Sequence, residues 1–292
     1  MEMSSTFTNP LSLPTWTLRN RKFSWGERTY LMGILNVTPD SFSDGGQFNT
    51  LELALRQARS LVESGADLLD IGGQSTRPQA TEISLDEELN RVIPILQAIR
   101  QDIDIPISVD TTRAAVARAA IAAGADLIND ISAATYDSDM LPTAAELGVP
   151  IILMHIRGTP QTMQQLTDYQ DVIGEILEFL KQRIEAAVDT GVDHSQIAID
   201  PGIGFAKTYR QSLEILRRLS EFRALNCPIL VGPSRKSFIG HILDQPDPKQ
   251  RIWGTAAACC AAIAGSTDIL RVHDVRKIHD VCRVADAIWR TK

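Results

Sequence analysis

Chemically capable side chains follow short apolar runs in this chain. Asp110 follows PISV, Asp200 follows QIAI, and His273 lies two residues after Arg271 in ILRVHD. A carboxylate offers two acceptor oxygens to paired N–H donors, and an amide both donates and accepts. Nine polar or charged residues share such a position: Asn36, Thr76, Arg77, Asp110, Asn129, Asp200, Lys236, Arg271 and His273.

The chemistry of these residues indicates two kinds of ligand contact. Asp110, Asn129 and Asp200 together suit a flat heterocycle with a guanidine-like edge. The second set is basic and lies late in the chain: Arg235, Lys236, Arg271 and His273. Because the net charge is −7, binding an anion requires a local positive pocket of this kind. Taken singly, Thr76 or Asn129 is better explained as a helix cap or a loop contact. For Arg235, the alternative to a ligand contact is a solvated charge on the surface.

The elements that carry these residues alternate regularly. Apolar runs such as Leu31–Leu35 predict strands buried on both faces, and amphipathic or Ala-rich segments between them predict helices. Eight strands and about eight helices in alternation predict one (β/α)8 TIM barrel. An open doubly wound sheet is the alternative, disfavoured because no GxGxxG turn follows the first strand. Active sites of such barrels lie at the carboxyl ends of the strands, and phosphates bind after strands seven and eight.

The ends of the chain and its composition limit the remaining possibilities. We expect residues 1–30 to form an extension with a short hairpin around 19–21, and residues 31–292 to form the catalytic domain. The polar start of the extension fits either a disordered tail or a weak transit segment. No segment is apolar enough for a secretory signal or a membrane anchor. The four cysteines lack metal or disulfide spacing, which predicts reduced thiols and a cytoplasmic protein. The acidic charge gives no general reason to bind nucleic acid.

Several motifs together resemble those of the dihydropteroate synthases. In order, they are LMGILNVTPDSFSDGG, LLDIGGQSTRP, PISVDTTR, LINDIS, MHIRGTP, IDPGIGFAKT, VGPSRKSFIG and ILRVHD. The resemblance runs from about Leu31 to the C-terminus. It implies a pterin-binding barrel that condenses (7,8-dihydropterin-6-yl)methyl diphosphate with p-aminobenzoate, giving 7,8-dihydropteroate and diphosphate. It also implies Mg2+, a homodimer and inhibition by sulfonamides.

The resemblance assigns expected roles to individual residues. The pterin would contact Asp110, Asn129, Asp200, Lys236, Met154 and Phe205, with Asp200 on the amino-pyrimidine edge. The diphosphate would contact Asn36, Thr76, Arg271 and His273, and Asn36 would bind the metal. Catalysis would involve Asp110, Lys236 and Asn36. The p-aminobenzoate pocket and mobile loops would comprise Phe42, Ser43, Asp44, Thr76, Arg77, Pro78, Phe205, Lys236 and Ser237.

Some residues carry a different expectation. Gln74 and Ile156 stand where the family usually has Glu and Met, and neither change removes a proposed chemical group. Asp70 is expected to be structural because Gly72 and Gly73 follow it, and His155 because a lone histidine after a strand is more often structural.

Two other functions remain open from the sequence. One is a pterin-binding module without synthase activity, against which the SFSDGG loop and the basic residues argue. The other is an aldolase that forms a Schiff base through Lys236. The synthase interpretation predicts a dissociative step, because the dihydropterin ring can delocalise charge left on the methylene carbon.

Overall fold

The computed structural model describes residues 13–38, 47–78 and 80–290, and in them eight parallel strands form one sheet that curls into a barrel. The strand order is β8-β7-β6-β5-β4-β3-β10-β9, and a bridge between Ile199 and Ile229 brings the two edge strands together. This confirms the predicted (β/α)8 barrel. The barrel strands are β3 Tyr30–Asn36, β4 Leu68–Gly72, β5 Ile107–Asp110, β6 Leu127–Asp130, β7 Ile151–Met154, β8 Ile197–Asp200, β9 Leu230–Val231 and β10 Ile269–Val272.

Nine α-helices lie within the described residues and surround the barrel. They are α1 Gln47–Glu63, α2 Leu85–Asp102, α3 Ala114–Ala122, α4 Met140–Leu147, α5 Val172–Thr190, α6 Tyr209–Arg217, α7 Ser237–Leu243, α8 Ile252–Ala264 and α9 Val275–Trp289. The seven-residue α7 was not predicted, because fewer than two full turns leave little periodicity to detect. The segment 209–225 is not one continuous helix, since α6 is followed by a 3-10 segment at Leu219–Leu225. None of the described helices is both long and apolar enough to cross a membrane.

The interior of the barrel changes from apolar to polar along its axis. Residues two apart on a strand face the same side and are separated by about 7 Å. On β4, the next side chain on the same face after the apolar Leu68 is Asp70. On β10, the next one after Ile269 is Arg271. The lower interior layer is apolar and contains Met32, Leu68, Leu127, Ile152, Ala198, Leu230 and Ile269. Polar groups therefore begin directly above a sealed apolar layer.

A hairpin packs against this lower layer at the amino end of the barrel. Strands β1 Trp16–Leu18 and β2 Arg21–Phe23 pair antiparallel, which confirms the hairpin predicted around residues 19–21. The rings of Phe23 and Tyr30 have centroids 4.8 Å apart, and Trp25 packs on both. The extension thus buries aromatic surface beneath the barrel. The disordered tail or transit segment expected at the chain start concerns residues 1–12, which lie outside the described residues.

Three aspartates repeat one arrangement at the amino end. Asp67, Asp126 and Asp268 precede β4, β6 and β10, and each accepts a 2.8 Å hydrogen bond from the backbone N–H near the start of a neighbouring strand. Each also pairs with an arginine: Arg28, Arg100 and Arg223 respectively. These carboxylates therefore connect neighbouring strands by hydrogen bonds at the end of the barrel opposite the predicted site.

Candidate active site

One guanidinium joins two buried carboxylates at the carboxyl end of the barrel. Arg271 on β10 donates from Nε to Asp70 Oδ2 at 2.5 Å and from Nη2 to Asp110 Oδ2 at 2.6 Å. Asn129 Nδ2 also donates to Asp70 Oδ2, at 3.2 Å. Asp70 was expected to be structural only, yet these bonds place it in the same network as Asp110 and Asn129.

Burial and charge set the protonation of this network. Burial raises the pKa of Asp110 to about 7, against the lowering effect of Arg271, and the neighbouring Asp70 raises it further. Burial alone would lower the pKa of Arg271, but Asp70 and Asp110 reverse this and raise it above the ordinary value. Arg271 is therefore a fixed cation, while Asp110 titrates near neutral pH.

A second acid–base pair lies on the opposite side of the opening. Asp200 ends β8, and its Oδ1 accepts a 2.7 Å hydrogen bond from the Gly202 N–H. Burial raises the pKa of Asp200 to about 6, although that N–H and Lys236 lower it. Burial likewise lowers the pKa of Lys236 to about 7, although Asp200 raises it. Lys236 Nζ lies 3.8 Å from the centroid of the Phe205 ring, a cation–π contact.

Unusual backbone conformations present Phe205 and Lys236 to the site. Ala206 and Arg235 have φ of 51° and 61°, in the left-handed region that non-glycine residues rarely adopt. Gly204 has φ +79°, and a Cβ there would lie 3.2 Å from Lys236 Cδ. Strained residues next to both partners of the cation–π contact fit a site held in a defined geometry.

The loop after β8 rests on a buried lysine that the sequence analysis missed. Lys207 Nζ donates to the Phe205 carbonyl oxygen at 2.8 Å and lies 2.9 Å from His155 Nδ1. Burial lowers the pKa of Lys207 well below its ordinary value, and burial with Lys207 lowers that of His155 to about 2. His155 also packs edge-on against Phe179, in agreement with its expected structural role. The one sequence signal for Lys207 was a basic residue in the strand-end motif IDPGIGFAKT.

One wall of the opening is apolar. Met154 at the end of β7 packs with Ile131, Ile156, Met163 and Ala206, and Phe205 adds partly buried surface. Ile156, one of the two departures from the family pattern, fills this wall as a buried aliphatic side chain. The wall gives a planar ring an apolar surface beside the carboxylates.

The basic residues after β9 and β10 have hydrogen-bond partners within the protein that the sequence did not predict. Arg235 forms two 2.9 Å hydrogen bonds to Asp274, so its charge is compensated. His273 Nδ1 lies 3.0 Å from Ser234 Oγ, and burial with Arg235 and Arg271 lowers its pKa to about 3. His273 is therefore a neutral hydrogen-bonding group at pH 7. Of these basic residues, Lys236 and Arg271 interact with the buried acids Asp110 and Asp200.

The remaining predicted residues lie around the rim. Asn36 ends β3 half-buried, and Gln74 and Thr76 line a cleft of about 110 Å³ that reaches Asp110. Arg77, Pro78 and Ser237 are exposed. Phe42, Ser43 and Asp44 lie outside the described residues. The barrel therefore gathers the predicted inner residues at one opening, and Arg77, Pro78 and Ser237 lie at its exposed rim.

The described residues contain no group of three His, Cys, Asp or Glu side chains that could hold a metal alone. Mg2+ often binds proteins through one or two oxygens while substrate phosphates and water supply the rest. The half-buried amide of Asn36 fits this limited role, since no described side chain hydrogen-bonds to it. The arrangement fits a metal that arrives with a phosphorylated substrate rather than one held by a protein cage.

Comparisons with known proteins agree with this geometry. A family model described as pterin binding enzyme matches residues 32–273. A dihydropteroate synthase of Synechocystis sp. is 62% identical over 268 residues, which cover 92% of this chain and 93% of that protein.

Two solved structures extend the comparison to three dimensions. A Xanthomonas albilineans dihydropteroate synthase with 4-aminobenzoic acid has a TM-score of 0.89 and 41% identity over 96% of this chain and 100% of its own. A Yersinia pestis dihydropteroate synthase in complex with a sulfonamide drug has a TM-score of 0.88 and 42% identity, covering 94% of this chain and 98% of its own. The likeness therefore extends over nearly the whole of each chain.

Proposed function

Because the chain belongs to the pterin-binding enzyme family, we propose that the mouth of its barrel divides the dihydropteroate synthase reaction among three subsites. The chain is a transferase of folate biosynthesis. Its reaction joins the methylene carbon of (7,8-dihydropterin-6-yl)methyl diphosphate to the amine of p-aminobenzoate and releases diphosphate. The single observation that carries the subsite proposal is the convergence of Asp110 and Asp200, both buried, with Arg271 and Lys236 between them.

The pterin subsite occupies the inner layer. Asp200 receives the amino-pyrimidine edge, because Oδ1 already accepts from Gly202 while no other described residue donates to Oδ2. Asn129 and Asp110 face the same ring from β6 and β5, and Lys236 lies at its margin. Met154 and Phe205 supply apolar contact from the wall described above. Asp200 Oδ2 is not one of the buried unpartnered atoms among the described residues, so it is open to a ligand with paired N–H donors.

The diphosphate subsite lies nearer the rim. Asn36, Thr76, Arg271 and His273 contact the phosphates, with His273 as a neutral donor because of its lowered pKa. Asn36 would hold Mg2+ together with the diphosphate oxygens. When bound, Mg2+ would supply neutralisation of the charge that develops on the leaving group. Arg271 adds a fixed positive charge from the protein side.

The p-aminobenzoate subsite lies between the loops. Thr76, Arg77 and Pro78 border it from the loop after β4, and Phe205, Lys236 and Ser237 from those after β8 and β9. Phe42, Ser43 and Asp44 would cover it. The Yersinia pestis protein was solved with a sulfonamide drug, and sulfonamides are therefore the expected competitors of p-aminobenzoate here.

The chemistry follows from the charges in the inner layer. The C–O bond to diphosphate breaks first, and the methylene carbon is left electron-poor. The Asp110 carboxylate stabilises that charge at short range because the site excludes water. The neutral amine of p-aminobenzoate then attacks, and the new C–N bond forms with loss of one proton. A pronounced secondary isotope effect at the methylene group is the expected signature of this dissociative order.

The test is release of diphosphate from the purified protein with the pterin diphosphate as substrate. Release should require both p-aminobenzoate and Mg2+ and should match the dihydropteroate formed. Tight pterin binding without product under any condition would instead support a binding module. Asn129→Ala provides the matched variant, since it should weaken pterin binding while leaving the basic residues in place.

We also propose that the protein is a homodimer and that it is cytoplasmic. Trp253 on α8 and Val284, Ile288 and Trp289 on α9 are all more than half exposed, and α8 and α9 are neighbours. Exposed apolar side chains on two neighbouring helices support a protein contact, here with a second copy. Light scattering should give twice the chain mass, and Trp253→Ser with Trp289→Ser should give the monomer. The cytoplasmic location is supported by four free cysteines.

A further inference from the structure

Asp70 is a fully buried acid with one oxygen that lacks a described partner. Its side chain is fully buried, and one oxygen, Oδ2, accepts from both Arg271 and Asn129. No described residue donates to the other oxygen, Oδ1. Leaving a buried acceptor unpaired costs on the order of 1–3 kcal/mol. The carboxylate must therefore do something that an amide or an apolar side chain at this position would not.

The geometry of Arg271 shows what that contribution is. Its guanidinium is held at two points, by Asp70 at Nε and by Asp110 at Nη2, and these acids lie on adjacent strands. Two contacts fix the plane of a guanidinium. No described residue accepts from Nη1, so this group is left to face a ligand in a fixed direction.

Asp70 also changes the charge balance around Asp110. With Asp70 ionised, two carboxylates share one guanidinium, and the ionised network carries a net negative charge. Without Asp70, Arg271 and Asp110 would form a closed neutral pair beside an electron-poor carbon. Asp70 does not reach the opening itself, because it lies below the layer that contains Asp110 and Asn129.

We propose that Asp70 is a positioning residue for the transfer step: it orients Arg271 and takes up part of its positive charge, so that an ionised Asp110 is less neutralised by Arg271 beside the developing cation. The proposal rests on the proposed function. It differs from the subsite assignments because Asp70 touches no substrate and acts through Arg271.

The experiment compares Asp70→Asn with Ser108→Ala. Ser108 is the register partner of Asp70 on β5, and it too has a buried oxygen without a described partner, but it carries no charge. Asp70→Asn should lower kcat about 10- to 100-fold, the scale for a misplaced catalytic group, with KM for the pterin diphosphate within about threefold. Ser108→Ala should leave both near wild type. Equal kcat in the two variants, or a rise in KM with kcat unchanged, would overturn the proposal.

A pH profile separates this role from a merely structural one. The charged groups around Asp110 are Arg271, Asp70, Glu88, Asp130 and Lys236. Of these, Asp70 raises the pKa of Asp110, so Asp70→Asn should move the acid limb of kcat/KM to lower pH. The shift should vanish when Asp110→Asn is the background. A shift that persists there would contradict the proposal.

A spectroscopic measurement tests the positioning without turnover. The Nε–H proton of Arg271 should exchange slowly with solvent in the wild-type protein, because Asp70 accepts from it, and quickly in Asp70→Asn. Fast exchange in the wild type would overturn the proposal even if synthase activity is found. Failure of the wild-type synthase assay would overturn the proposed function, while this exchange measurement would still decide the role of Asp70. If Asp70→Asn does not fold, the exchange rate of the Arg271 Nε–H proton in the wild-type protein still decides between the two outcomes.

Discussion

The two ends of the barrel use the same residue type in opposite ways. At the amino end, Asp67, Asp126 and Asp268 each accept from a backbone N–H group and pair with an arginine. At the carboxyl end, Asp110 and Asp200 are buried, and burial raises the pKa of each. The difference shows that partners, not residue type, decide whether a carboxylate stabilises the fold or is kept for a ligand.

The apolar layer between the two ends explains how they can differ so much. Met32, Leu68 and Ile269 belong to a sealed cluster that the hairpin aromatics complete from below. Water and counterions therefore cannot reach the polar layer from the amino end. Charged groups at the carboxyl end therefore interact mainly with one another and with a bound ligand.

The largest expected effect is a loss of pterin affinity when an acid at the carboxyl end is removed. Asp200→Ala should weaken pterin binding at least about 100-fold, or about 3 kcal/mol, because it removes the acceptor for the amino-pyrimidine edge. Isothermal titration with a pterin measures this directly. Near-normal affinity in the variant would refute the assignment of Asp200. Asp67→Ala, at the other end, is the control that should leave pterin affinity unchanged.

Removing an acid from the amino end should lower the stability of the fold and leave pterin affinity unchanged. Asp268 is fully buried, accepts from the backbone N–H groups of Ile229 and Gly26, and pairs with Arg223. Asp268→Ala should cost about 3 kcal/mol of unfolding free energy, because it leaves these donors without their acceptor. Denaturant titration gives the loss, and pterin affinity measured well below the midpoint should stay at the wild-type value. A variant that loses affinity but not stability would contradict the division between the two ends.

The buried Lys207 sharpens the comparison, since a buried polar group at the carboxyl end need not stabilise the fold. Lys207→Met replaces a buried amino group, whose pKa burial lowers, with an apolar chain of similar length, so the unfolding free energy should stay level or rise by about 1 kcal/mol. The Phe205 carbonyl loses its donor, and the loop after β8 should loosen. KM for p-aminobenzoate should therefore rise about tenfold. Lys249→Met, which replaces an exposed lysine, is the control; a fall in stability with KM unchanged would contradict this interpretation of Lys207.

The smallest expected effect is a pH-dependent one at Asp110. Burial raises its pKa to about 7, whereas an unfolded aspartate titrates near ~4. The folded state thus binds more protons between these values, so Asp110 contributes stability at low pH that is lost as the pH rises through about 7.

Asp110→Asn removes this titration and tests the sign. The variant should gain on the order of 1–2 kcal/mol relative to wild type as the pH is raised from about 4 to about 8. Unfolding free energies at the two pH values provide the measurement, and Ser108→Ala serves as the non-titrating control. Parallel changes in Asp110→Asn and wild type would show that Asp110 is not held protonated by burial.

Much of this architecture could be predicted from local patterns. A parallel strand buried on both faces is a short continuous apolar run, and all eight runs are barrel strands. Regular alternation then required the carboxyl ends to meet, which brought Asp110, Asn129, Asp200 and Arg271 to one opening. The short helix α7 and the break after α6 escaped detection because each depends on packing more than on periodicity.

What the sequence by itself determined is the alternation of elements and the set of polar residues that stand at strand ends. Only the tertiary structure decided which of them pair. Arg271 seemed free to bind phosphate, yet its partners Asp70 and Asp110 lie 201 and 161 residues away and meet it only because the barrel closes. Lys207 became part of the site for the same reason, through His155, which directly follows the neighbouring strand β7. Periodicity is a local property of the chain, whereas pairing and the pKa shifts that follow depend on burial among residues distant in sequence.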